Sequence, residues 1–329
     1  MLLARTANDL YWLGRHLERA EGLARICAEH TNLLVDLPTD VESDWTTLLA
    51  VTGTVAAFAD RYAGRGEADV MTFLLADIGN PTSLVRTVSS ARENLRVCRQ
   101  LLPVDAWERV NRLHLRLVEG AGCATSRSAR LELCEEVVEA CQALSGILET
   151  TMSRDDVWRV CQLGRQIERA DLTTRVLDVR AGGLMRTGSV PSQPPADRSP
   201  YEEVRWLGVL RSVAGQHTYH RQHRGAVEAA RVVDFLLGDA SFPRSVLHCV
   251  DEMEALVAEL PVRTTVTGAC RGLRSVLRHR RGTAMDAQDL HRHVDDLQVA
   301  LAALHHVIGT AYFEAGHPAG AARTRSVAR

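Results

Sequence analysis

Lysine is missing from this chain: all 39 basic residues among its 329 are arginine. Without lysine there can be no Schiff base, no pyridoxal-phosphate attachment and no P-loop lysine on a nucleotide phosphate. GC-rich coding, which favours Arg, Ala, Gly and Val, is the plainest cause, so the absence excludes mechanisms without advertising arginine chemistry. Paired C-x-x-C cysteines are also missing. The eight cysteines (Cys27, Cys98, Cys123, Cys134, Cys141, Cys161, Cys249, Cys270) are scattered, which reads as reduced, mostly buried thiols and not a zinc knuckle. No run of 18 apolar residues occurs, so no membrane span is expected. The uncharged stretch 46–59 is only 14 residues long and holds four threonines, which suits a buried core helix. Arg5 and Asp9 interrupt what would have to be the apolar part of a signal peptide, and a cytoplasmic location is expected. An excess of one charge is lacking too: 39 basic against 41 acidic residues give −2, without the basic field that non-specific nucleic-acid binding needs. No glycine-rich phosphate loop and no nucleophile set beside a base is visible.

What is present is the balance of a globular protein, 46% hydrophobic and 24% charged, at about twice the length of one domain. Apolar residues recur at spacings of three and four almost throughout, and strand-like alternation never persists, so an all-α fold of about ten helices is predicted. Leu10, Leu13, Leu17, Ala20 and Ala24 form the stripe of a first long helix that Pro38 must end near Leu37. Ser153 with Asp156 resembles a capping box opening another long helix. Residues 182–200 hold four of the ten prolines and predict a non-helical linker, and residues 316–329 predict a frayed tail.

The chain repeats itself. LGRHLERAE at 13–21 returns as LGRQIERAD at 163–171 with six identities in nine positions. A second match in the same order, 70–83 with 232–245, makes chance a poor explanation. Two tandem copies, 1–150 and 151–315, are therefore expected to pack as pseudo-symmetric halves around a shared core. In the second match, Pro81 and Pro243 are expected in the first turn of a helix, with Asn80 or Ser241 as its cap.

Within the first match, Arg15, Glu18, Glu21 and Arg25 share one helix face, and Arg165, Glu168, Asp171 and Arg175 repeat the set. Arg19 and Arg169 complete the shared Glu-Arg dipeptides. An exposed ladder of ion pairs, each worth a few tenths of a kcal/mol, is the bland reading. Gly14 and Gly164, one turn before each glutamate, lower helix propensity by about 1 kcal/mol relative to Ala, which points instead to something packed close. That favours a partly buried Arg–carboxylate network joining the halves. Catalysis by Glu18 or Glu168 as general base requires a raised carboxyl pKa, whereas a network requires a depressed one. A di-metal site is disfavoured, because such sites want Glu-x-x-His and the nearby arginines already neutralise the charge. His217, His220 and His223 spread over a third of a helix circumference and read as a polar face, as do His291/His293 and His305/His306. Arg92, Glu93, Asn94 and Arg96, and Trp107, Glu108 and Asn111, either line a groove or face water. No cofactor and no metal is expected.

The opening TANDLYWLGRHLERAEGLAR resembles the start of the bacterial alpha-E family, a helical family with a Glu-Arg signature. ARENLR at 91–96, WERVNRLHLRL at 107–117, Thr151-Met152 through Trp158 into LGRQIERA, FLLGDASFPRS at 235–245 and Tyr312-Phe313 follow in the family's order. Where family members often carry an Arg- and Tyr-rich run, this chain has His217 to Arg224. The resemblance implies an association with circularly permuted ATP-grasp enzymes, encoded beside or fused to such proteins, often near a transglutaminase-like peptidase. It thereby implies a helical partner of a carboxylate–amine ligase that makes or trims peptide amide bonds. On that reading an Arg-lined groove formed by Arg15, Arg19, Arg165 and Arg169 holds the ligase or an acidic peptide, provided Glu18 and Glu168 do not consume them. The alternatives are an independent transferase or amide hydrolase, and an oligomeric scaffold without ligand.

Overall fold

The structure, a computed structural model, describes residues 2–36, 45–124, 126–186, 200–279 and 286–314. Among these residues the fold is all-α, with fourteen α-helices and no strand. The chain enters through α1 (Ala4–Asp36), the short α2 (Thr46–Thr52) and α3 (Val55–Ala59), then α4 (Glu67–Leu75), α5 (Leu84–Val97), α6 (Val104–Gly120) and α7 (Arg127–Thr151). It continues through α8 (Asp156–Arg186), α9 (Pro200–Ser212), α10 (Gln216–Gln222), α11 (Ala229–Gly238), α12 (Val246–Ala258), α13 (Arg263–His279) and α14 (Ala287–Tyr312). The excess over ten lies in short helices, which carry too few turns to show an apolar stripe. Stretch 46–59 is two of them and not one core helix: Gly53 adopts φ 67°, a left-handed conformation that ends α2 with its N–H on Ala50 and Leu49 carbonyls.

The longest helices organise the core. Leu10, Leu13, Leu17, Ala20 and Ala24 are all buried, and α1 packs most extensively on α8, with α5 and α7 on its other sides. Helix α8 in turn packs on α12 and α14. A helix gripped on several sides must be apolar around more than one stripe, and α1 adds Ala7, Tyr11, Leu23, Ile26 and Cys27 to the buried set.

Helix ends follow local chemistry, with three corrections. Helix α1 stops at Asp36, and residues 37–44 with Pro38 lie outside the described residues. Helix α8 is capped by Asp155, not by a Ser153 box: its Oδ1 accepts from the Val157 and Trp158 amides. Pro81 and Pro243 lie two residues ahead of the caps, in the preceding turns, and the caps are Ser83 and Ser245, whose hydroxyls accept from the Arg86 and His248 amides. Asn80 instead braces its turn, donating to the Phe73 carbonyl and accepting from the Thr82 amide. Asp239 braces the matching turn by accepting from the Ser241 and Phe242 amides. The expected linker is shorter than 182–200, since α8 runs to Arg186 and α9 opens at Pro200. Its centre, 187–199, and the expected tail lie outside the described residues. No helix among the described residues is long and apolar enough to cross a membrane.

Candidate functional site

Helices α1 and α8 touch backbone to backbone where each carries a glycine. A Cβ added to Gly14 would lie 2.0 Å from the Cys161 carbonyl oxygen, and one added to Gly164 would lie 2.0 Å from the Tyr11 carbonyl oxygen. Only hydrogen fits at either place, so the helix propensity forfeited there is exchanged for close approach. That approach puts the next turn of each helix, which bears the Glu-Arg dipeptide, within side-chain reach of the other.

The result is a reciprocal ion-pair network. Glu18 accepts from Arg165 Nε at 3.0 Å and from Arg169 Nε and Nη2 at 3.0 and 2.8 Å. Glu168 accepts from Arg15 Nε at 2.6 Å and from Arg19 Nε and Nη2 at 2.5 and 3.0 Å. Both Arg169–Glu18 and Arg19–Glu168 are two-pronged, the geometry in which a guanidinium holds a carboxylate best. Glu21 takes Arg25 from its own helix, and Asp171 takes Arg175 from its own. Arg244, in the turn before α12, reaches both Glu18 at 2.5 Å and Glu21 at 2.7 Å. All ten residues expected from the sequence are ion-paired here, in a Glu18–Glu21 set that Arg244 joins, a Glu168 set, and a separate Asp171–Arg175 pair. Sequence reasoning missed Arg244, although one signal was present: in the second repeat match it stands where the first block has Thr82.

Burial by itself would raise the Glu18 pKa, but the charges of Arg169, Arg244 and Arg165 outweigh it and hold the carboxyl well below the usual range. Glu168 is likewise pushed up by burial and pulled down further by Arg19 and Arg15. A general base needs a free lone pair and a pKa near the working pH. For Glu18 and Glu168 the shift runs the other way, and the carboxylates already accept four and three arginine hydrogen bonds, the pattern expected of anionic centres in a structural network. Arg15 and Arg19 each bond Glu168, and Arg165 and Arg169 each bond Glu18, so any acidic partner would meet these arginines beside their carboxylates. Arg19 is nearest to solvent, its side chain 24% exposed.

The remaining sequence candidates are dispersed. Arg92 bonds Asn111 and lies over the Trp107 ring, joining α5 to α6, while Glu93 and Arg96 form an exposed pair. Asn94 donates to the Asp9 carbonyl of α1. His217 and His220 are exposed on α10, and His223 stacks at a tilt on buried Tyr219. His291 bonds Asp178, and His305 accepts or donates at 2.8 Å to the Tyr11 hydroxyl. Among the described residues no group of three His, Cys, Asp or Glu side chains is placed to hold a metal ion. Seven of the eight cysteines are buried, and desolvation pushes thiols such as Cys161 and Cys249 up to about 12.

The model of the Alpha-E family, described as a predicted alpha-helical domain with a conserved ER motif, matches residues 2–313. The chain belongs to the Alpha-E family. Glu-Arg dipeptides stand in this chain at Glu18-Arg19, Glu108-Arg109 and Glu168-Arg169, and the first and third of them meet at the crossing just described. Among curated proteins, uncharacterized proteins of Mycobacterium bovis and Mycobacterium tuberculosis are 26% identical over 277 residues, 78% of this chain and 30% of theirs. This Alpha-E chain thus spans about a third of the length of the relatives it matches. No solved structure matches it.

Proposed function

We propose that this Alpha-E chain is the helical partner of an ATP-grasp carboxylate–amine ligase in the synthesis or modification of peptide amide bonds. It works in the cytoplasm and receives the ligase, or an acidic peptide substrate, on the arginine-rich side of the α1–α8 crossing. It is further proposed to be two tandem copies of one helical unit, 1–150 and 151–315. The observation that carries the reading is a charge imbalance: Arg15, Arg19, Arg25, Arg165, Arg169 and Arg244 converge on only Glu18, Glu21 and Glu168, an excess of three positive charges. A cationic excess in a low-dielectric setting projects a potential that draws acidic groups. The family resemblance supplies the ligase, and the greater length of the mycobacterial relatives is in keeping with a domain that works with additional protein. The test is co-purification with an ATP-grasp ligase from the same genome, with ATP turnover measured with and without this chain. A stable complex with raised turnover is expected, weakened by Arg19→Ala, which leaves Arg15 on Glu168. No complex and unchanged turnover would overturn the reading.

A further inference from the structure

A cleft of about 470 Å³ opens between α1 and α5, lined by Asn8, Asp9, Trp12 and His16 on one wall and by Arg86, Ser89, Ser90, Glu93 and Asn94 on the other. Asn94 bonds the Asp9 backbone at one end, and since residues 8–16 and 86–94 line the same cleft, the two helices run antiparallel there and the cleft has two chemically different ends. Asp9 and Glu93 share one end; His16 and Arg86 lie toward the other, each seven residues along its helix, roughly 10 Å away at 1.5 Å per residue. Glu93 is paired with Arg96; the Asp9 carboxylate makes no hydrogen bond among the described residues and has the charge of Arg5 one turn away as its nearby cation, and the exposed Arg86 guanidinium makes none either. Between them Trp12 offers an aromatic wall, and Asn8 and Ser90 add side-chain polar groups. His16 has a buried Nδ1 without a hydrogen bond, and burial followed by the charge of Arg19 lowers its pKa to about 4, so at neutral pH the ring is uncharged. A buried polar atom left unpaired lowers stability, and His16 Nδ1 is such an atom on the wall of a polar cleft, where a ligand donor would supply the missing bond.

We infer that this cleft binds a short zwitterionic peptide, its free amino end against Asp9, its free carboxylate against Arg86, and its central side chain on Trp12. An extended chain advances about 3.3–3.6 Å per residue, so a tripeptide is the shortest peptide whose termini match the separation of the two charges. A guanidinium suits a carboxylate, and the neutral His16 ring and Asn8 amide suit backbone amides. The cleft adjoins the α1–α8 ion-pair network, whose Arg15 lies 5.0 Å over the Trp12 ring, but shares no residue with it, and the inference does not rest on partnership with a ligase.

Isothermal titration of the full chain with Gly-Phe-Gly, its N-acetylated form and its C-amidated form tests this directly. The free tripeptide is expected to bind, with each single block weakening it by about tenfold or more, the scale of losing a hydrogen bond to a charged group. In Asp9→Asn the acetyl block should cause no further loss, and in Arg86→Gln the amide block should cause none. Equal affinity for all three peptides would overturn the inference, as would no binding at millimolar peptide. A penalty for acetylation that persists in Asp9→Asn would also overturn it. The peptide series is run on the unaltered protein, so it decides the matter even where a variant folds poorly.

Discussion

Replacing Gly14 by Ala perturbs the crossing of α1 and α8 and little else. In an isolated helix the change would stabilise by about 1 kcal/mol. Here the new Cβ would meet the Cys161 carbonyl at 2.0 Å, at least about 1 Å inside the 3.0 Å that real contacts respect, and a backbone carbonyl cannot rotate out of the way. The helices must therefore separate by that amount. The Glu18 bonds to Arg165 and Arg169, now 2.8 to 3.0 Å, would be drawn toward or past the limit of about 3.5 Å for a useful hydrogen bond. Overpacking contributes roughly 1–3 kcal/mol and weakening a buried charge pair up to about 3–5 kcal/mol, so after the propensity gain the net loss is about 3 kcal/mol. Gly164→Ala, facing the Tyr11 carbonyl, should lose a similar amount. The double variant should lose less than the sum, because one wedge already opens the crossing that the other needs. Urea unfolding followed by circular dichroism measures this, with Gly146→Ala as control. That exposed glycine within α7 has nothing within 4 Å of an added Cβ, so its replacement should stabilise by up to about 1 kcal/mol. If Gly14→Ala were as stable as the parent while Gly146→Ala behaved as expected, the close-approach argument would be refuted.

The depressed Glu18 and Glu168 pKa values mean that the network contributes its full stability above the ordinary glutamate value of 4.5 and loses it as pH falls through the lower folded values. Urea midpoints should therefore hold steady from neutral pH down to about 5 and drop below it. Glu18→Gln, which strands Arg165, Arg169 and Arg244, should lose about 3–5 kcal/mol at pH 7 and show a shallower acid decline; an unchanged acid decline would contradict this. Thiol titration with Ellman's reagent should find one fast-reacting cysteine in the native chain, Cys123, with the other seven reacting only on denaturation, and Cys123→Ser should abolish the fast phase.

Much of the helical framework was legible from spacing alone. The buried stripe of α1 and the all-α class follow from the period of apolar residues, which is a local property. Caps were less legible. Ser153, Asp155 and Asp156 are all competent acceptors near one helix start, and which one serves depends on where the chain leaves the preceding helix. The division of stretch 46–59 at Gly53 escaped for a related reason, since a single glycine inside an apolar run signals a break only when its φ is known.

The Glu-Arg residues were identifiable one by one, and their glycines already hinted at close packing. The sequence by itself determined which side chains carry charge, that the motif occurs twice, and that each helix presents its acid and its arginines on one face. Only the tertiary structure decided that Glu18 faces Arg165 and Arg169 while Glu168 faces Arg15 and Arg19, that Arg244 arrives from more than two hundred residues away, and that Asp9 and Arg86 line one cleft. Charge and periodicity are written into a chain locally, whereas desolvation and pairing depend on which surfaces meet, and the meeting of α1 with α8 is set by two hydrogen atoms where any other residue would place a carbon.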